Sequence, residues 1–154
     1  MTLDLPLDVT SKLLDSSRKV WIQPAVSGPA SDCLIFLDGE LYIDRVKAPG
    51  IVRDLQLAGQ LPPVSSIYVS NLDAASRHAD FTCNESYSSF LATDLCRWVE
   101  QNAGKYDRTF LCGLRIRGNP PALPEDFQSL ADTGMGKVGG RALYASRKDA
   151  KAQR

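Results

Sequence analysis

Residues 33–42, CLIFLDGELY, pass from an apolar run into an acid, a glycine and a second acid. A short continuous apolar run stopped by Asp-Gly reads as a strand buried on both faces and ended by a tight turn. In an open parallel sheet such a turn lies at the carboxyl end of the strand, where these folds hold their ligands. Asp38, Gly39 and Glu40 are therefore the first candidate site residues. A second candidate is the glycine-bracketed turn Gly113-Leu114-Arg115-Ile116-Arg117-Gly118, which follows another apolar run. Guanidinium forks suit carboxylates and phosphates, so Arg115 and Arg117 beside the Asp38–Glu40 turn would make an anion site. The plainer reading points both arginines to water or pairs them with Glu40.

Arg77 and Asp80 read as an ion pair that fixes a loop, and at a surface such a pair contributes about 0–1 kcal/mol. His78, the single histidine, falls in the same stretch and has the pattern of a solvated or structurally bonded residue. Cys33, Cys83, Cys96 and Cys112 show no CxxC pair and no histidine at ligand spacing, so neither a metal site nor a disulfide framework is expected. No cofactor is implied.

These residues need elements to position them. Residues 18–23, RKVWIQ, alternate as a strand that Pro24 ends, whereas residues 1–17 carry no firm element. The central strand covers 33–37. A helix follows near 51–58 with Ile51, Leu55 and Ala58 on one face, stopped by Gly59 and by Pro62-Pro63. Residues 65–73, SSIYVSNLD, form the next strand, polar at its exit. A loop through 75–83, ASRHADFTC, leads to a capping box between Thr82 and Glu85. Behind it Tyr87, Phe90, Leu91, Leu95 and Trp98 form a helical apolar stripe, read as plain core, which Gly104 terminates. Residues 108–112, RTFLC, are the fourth strand. Strands alternating with helices call for an α/β architecture with a mostly parallel sheet.

The chain has 154 residues, enough for one domain with a real core, and carries 18 basic against 18 acidic side chains. That balance gives no reason to expect nucleic acid or an anionic membrane as partner. The basic stretch 141–154 has a single aromatic residue, Tyr144, and reads as a solvated tail. No run reaches transmembrane length and the N-terminus has no secretory pattern, so the expected location is cytoplasmic.

Residues 34–42, Leu61-Pro62-Pro63, Asp73, Arg77, Asp80-Phe81, Cys83-Asn84, Phe90-Leu91, Asp94-Leu95 and the run into Gly113 together resemble the enterochelin esterase and esterase D-like branch of the α/β-hydrolases. The resemblance spans roughly residues 18–113. It implies a serine carboxylesterase acting on a small-molecule ester, with the nucleophile on a GxSxG elbow. Fixed backbone amides would stabilise the oxyanion, one after the nucleophile at Ile116 and another in the Asp38-Gly39-Glu40 turn. Gly113 and Gly118 would be the elbow glycines. Arg115 stands where the serine belongs and Arg117 at the second small position, and a guanidinium stays protonated and cannot attack a carbonyl. In such folds the acid and the histidine follow the nucleophile, yet His78 precedes it. The reading is thus a truncated, catalytically inactive α/β-hydrolase-like domain over 1–118, with a poorly ordered non-family tail over 119–154. The alternative is a non-catalytic binding module on the same scaffold. An exposed sheet edge would lead to self-association.

Overall fold

The computed structural model describes residues 3–82, 84–114, 127–129 and 141–146, with only the backbone course described for 114, 127–129 and 141–146. Seven strands form one sheet in the order β1-β2-β4-β3-β5-β7-β6. They are β1 (Leu7–Ser11), β2 (Ser16–Gln23), β3 (Asp32–Leu37), β4 (Val64–Val69), β5 (Arg108–Leu114), β6 (Phe127–Ser129) and β7 (Arg141–Ser146). The centre is parallel, with β3 paired to β4 on one side and to β5 on the other. Both flanks are antiparallel, because β1 joins β2 in a hairpin, β2 runs against β4, and β7 and β6 add beyond β5.

The helices cover both faces of this sheet. On one side α1 (Gly39–Asp44) and α2 (Ala48–Leu57) place Tyr42, Ala48 and Val52 against Phe36, Tyr68 and Cys112. On the other, α3 (Ala74–Phe81) and a helix running from α4 (Glu85–Ser89) through a π-helical stretch, Phe90–Leu95, into α5 (Cys96–Asn102) supply Phe81, Tyr87, Phe90, Leu91, Leu95 and Val99. These pack on Val20, Ile35, Leu37, Ile67, Val69 and Leu111. Successive strand residues point to opposite faces, so strands buried on both sides are mostly apolar, as the run at 33–37 required, with Ser65 and Ser66 of β4 as buried polar exceptions. The stripe from Tyr87 to Leu95 is core, and Gly59 and Gly104 take the left-handed conformation at their helix ends.

Several expectations change. Residues 7–11 form β1, whose polar inward position is satisfied because Ser11 donates to Asp94 at 2.6 Å. The second helix starts three residues earlier than expected and turns a different face inward. Val52 and Gln56 are buried and Ile51 is 48% exposed. Proline at the start of the helix sets the earlier boundary, and the Gln56 Oε1 accepts the Val64 N–H at 3.1 Å, so a polar side chain takes an inward place. Residues 74–81 are helical where a loop was expected, because Asp73 caps them by accepting the Ser76 N–H at 2.7 Å. The capping box at Thr82 and Glu85 is replaced by Asn84, which accepts the Tyr87 N–H, while Thr82 closes α3 by donating to the His78 carbonyl. Beyond β5 the sheet is extended by β7 and β6. A strand edge with unpaired backbone groups is a ready template for such pairing.

Cys33 and Cys112 are buried and Cys96 is half-buried, all three as free thiols, and burial drives the Cys33 thiol far above its ordinary range. Cys83 lies outside the described residues. Among the described residues no helix is long and apolar enough to cross a membrane.

Candidate functional site

The carboxyl ends of β3 and β4 lie side by side, since Leu37 is in register with Val69. The chain leaves β3 through Asp38, which takes a left-handed conformation (φ 70°) and becomes the residue before α1. Such a conformation is uncommon outside glycine, with Asp and Asn the tolerant exceptions. Gly39 follows because nothing larger fits: a Cβ there would lie 2.9 Å from both the backbone N and O of Val69. The Asp-Gly turn is thus set by how closely α1 approaches β4.

Asp38 is buried, and its carboxylate binds three donor groups from two other elements. Arg77 of α3 donates through Nε and through Nη2, the latter at 2.9 Å, and Asn71, just past β4, donates through Nδ2. A bidentate guanidinium–carboxylate pair fixes geometry as well as charge. The Asp38 carboxylate raises the Arg77 pKa above its ordinary value, and the guanidinium also sits 5.3 Å over the Phe81 ring. Glu40, on the first turn of α1, accepts a bond from the Ser70 hydroxyl, which in turn accepts the Leu72 N–H at 3.1 Å. Leu72 is itself left-handed, with φ 65°. Backbone strain therefore collects at this edge, as is common where ligands are held.

Asp38, Glu40, Leu41, Asp44, Arg45, Asn71, Leu72, Asp73 and Arg77 line an open cleft of about 350 Å³. The volume is at the small end for ligand pockets. Of the expected site residues, Asp38 and Glu40 line this cleft and Gly39 lies between them. Gly113 is within β5, where a Cβ would meet only the Leu37 side chain at 3.8 Å, so space alone does not demand glycine. Arg115, Ile116, Arg117 and Gly118 lie outside the described residues. Among the described residues no group of three or more His, Cys, Asp or Glu side chains is arranged to hold a metal ion.

The expected pair between Arg77 and Asp80 is not formed, although both are on α3. Each has a partner that needs it more. Asp38 is a buried carboxylate that takes Arg77, and Arg18 of β2 is a buried guanidinium that takes Asp80 at 2.9 Å. Burial raises the Asp80 pKa, with Arg18 opposing it. The two ion pairs dock α3 across the sheet from β2 to the β3 exit. His78 stands exposed on the same helix. Asn71 and Arg18 were missed in the sequence, and only the polar exit of the 65–73 segment hinted at the first.

No family model matches the chain. The iron(III) enterobactin esterase of Escherichia coli (strain K12) is 26% identical over 113 residues, covering 70% of this chain and 28% of that protein. The enterochelin esterase of Shigella flexneri superposes with a TM-score of 0.62 at 24% identity, covering 68% of this chain and 27% of the other. A ferulic acid esterase superposes with a TM-score of 0.55 at 14% identity, over 71% of this chain and 49% of its own. The chain therefore spans less than a third of the enterobactin esterase it matches. In sequence the chain is similar to part of an enterobactin esterase, and its fold is that of part of an α/β-hydrolase-like sheet.

Proposed function

We propose that the chain binds a small-molecule ester at the carboxyl edge of its sheet and does not turn it over through an acyl-serine. The observation that carries this reading is Arg115, one residue beyond the end of β5 and in the place of the elbow serine. β5 runs parallel beside β3 as far as Phe36 and Cys112, so the carboxyl ends of these two strands lie side by side. A protonated guanidinium offers no nucleophile there. The first amides of α1, at Gly39 and Glu40, have no partners within the helix and are suited to an ester carbonyl oxygen, with Ile116 as the second donor. A similar protein has been solved in the presence of enterobactin, which supports an ester ligand here. On this reading the esterase-like unit covers 1–118 and 119–154 is an addition to it.

The test is a binding and turnover panel of small esters that includes enterobactin and amino-acid esters, run beside labelling with a serine-directed fluorophosphonate. Binding of at least one ester, with no hydrolysis and no label on the chain, is expected. Hydrolysis accompanied by fluorophosphonate labelling overturns the non-turnover reading, and a panel with no binder overturns the ester site.

A further inference from the structure

β1 ends the sheet, and among the described residues no strand pairs with its outer side. The direction of its backbone groups follows from β2. The Lys19 carbonyl accepts the Ser70 N–H at 2.8 Å, so odd-numbered residues of β2 turn their backbone groups toward β4 and even-numbered ones turn theirs toward β1. Arg18 and Val20 are thus bonded to their register partners Val9 and Leu7. Asp8 and Thr10 are left with N–H and C=O directed out of the sheet, and both side chains are exposed. Such an edge is a template for a further strand.

We propose that the further strand is β1 of a second copy of this chain, antiparallel about a two-fold axis at Val9, so that the two sheets become one. The other symmetric registers are poorer. Centring on Asp8 sets like charges directly opposite and calls on Pro6, which has no N–H to give. Centring on Thr10 pairs Asp8 with Lys12, which lies in the turn after the strand. Centring on Val9 uses every outward group of β1, because Asp8 exchanges both backbone bonds with Thr10 of the second copy, and Thr10 with Asp8 of the second copy.

The side chains agree with this register. The Thr10 hydroxyl stands opposite the Asp8 carboxylate of the second copy, donor to acceptor, and Lys12 lies diagonally from that same carboxylate. Leu7, half-exposed on the face that buries Val9 and Ser11, gains cover, and exposed Leu5 comes opposite Leu13 of the second copy. The same patch serves both copies, as a closed dimer requires. An edge of five residues buries less than the roughly 1,000 Å² of a lasting interface, so the dimer is weak, with Kd between about 1 µM and 1 mM.

The test follows the full chain by sedimentation equilibrium and amide hydrogen exchange across that concentration range. A monomer–dimer equilibrium is expected. Exchange at the Asp8 and Thr10 amides slows as dimer forms, while the Val9 and Ser11 amides, bonded to β2, are slow throughout. Thr10→Pro removes an outward donor and no bond to β2, so dimerisation weakens at least about ten-fold while Val9 and Ser11 stay protected. Asp8→Lys weakens it about three- to ten-fold, and adding Lys12→Asp recovers most of the loss. A chain that is monomeric throughout, a dimer whose Asp8 and Thr10 amides exchange as in the monomer, or protection of those amides in the monomer itself overturns the proposal. So does a Thr10→Pro chain that keeps its hairpin and dimerises as the wild type does. Should Thr10→Pro loosen the hairpin, the charge exchange decides, and a double variant no better than Asp8→Lys overturns the proposal.

Discussion

Gly39→Ala tests whether the Asp-Gly turn is set by close packing. The added Cβ would stand 2.9 Å from the N and O of Val69 and 3.0 Å from the carbonyl carbon of Tyr68, about half an ångström short of ordinary contact. All three atoms belong to the backbone of β4, a central strand paired on both sides, so none can swing away as a side chain would. The clash must be relieved by moving α1 off the sheet, which loosens Tyr42 from Phe36, now 4.8 Å apart between ring centroids. Overpacking of this kind costs about 1–3 kcal/mol. In a chain of this size that corresponds to a fall of about 3–10 °C in Tm by thermal denaturation. Gly50→Ala is the matched control: Gly50 is helical, its Cβ would meet nothing within 4 Å, and a gain of about 0.4–1 kcal/mol is expected. Should Gly39→Ala melt at or above the wild-type temperature, the turn would not be set by packing, and the glycine would need another explanation.

Two further perturbations address the ion pairs that hold α3. Asp80→Ala strands a guanidinium that is 4% exposed, with an expected loss of about 3–5 kcal/mol by chemical denaturation. Arg18→Met combined with Asp80→Leu should recover most of it, and a double variant as unstable as the single one would refute the account. Asp80 also titrates in a defined direction. Its pKa is raised on folding, so just above the ordinary aspartate range the folded state binds more protons than the unfolded one. Its contribution to stability is therefore largest in acid and declines as pH rises out of that range. The stability of wild type relative to Asp80→Asn should decline over the same interval, and a flat or rising difference counts against it. Asp38→Asn, which tolerates the left-handed backbone, removes the charge that holds Arg77. Arg77 is a third exposed and water can replace part of the pair, so a loss of about 1–3 kcal/mol is expected, with faster hydrogen exchange across 74–81. Unchanged exchange in α3 would show that Arg77 does not tether it.

The sheet and its helices were legible where local rules coincide with the fold. The apolar run at 33–37 had to be buried on both faces, the run at 108–112 had to be a strand, and the glycine at 104 had to end a helix. Reading failed where a distant residue alters a local preference. Ser11 sits inward only because Asp94, 83 positions away, accepts its hydroxyl, and Gln56 faces the core only because the Val64 amide needs an acceptor. Helix α3 failed for the same reason, since its polar face is turned to buried charges on β2 and at the β3 exit that no spacing along the chain reveals. The site shows both sides of this. The turn at Asp38, Gly39 and Glu40 could be read because a strand end is a local event. Their partners Ser70 and Asn71, just past β4, and Arg77 of α3 are joined to them only by the parallel crossover. It follows that charge in the cleft is fixed by topology rather than by any one segment. A substitution that moves α3 should therefore change ligand preference as surely as one that removes a carboxylate from the cleft wall.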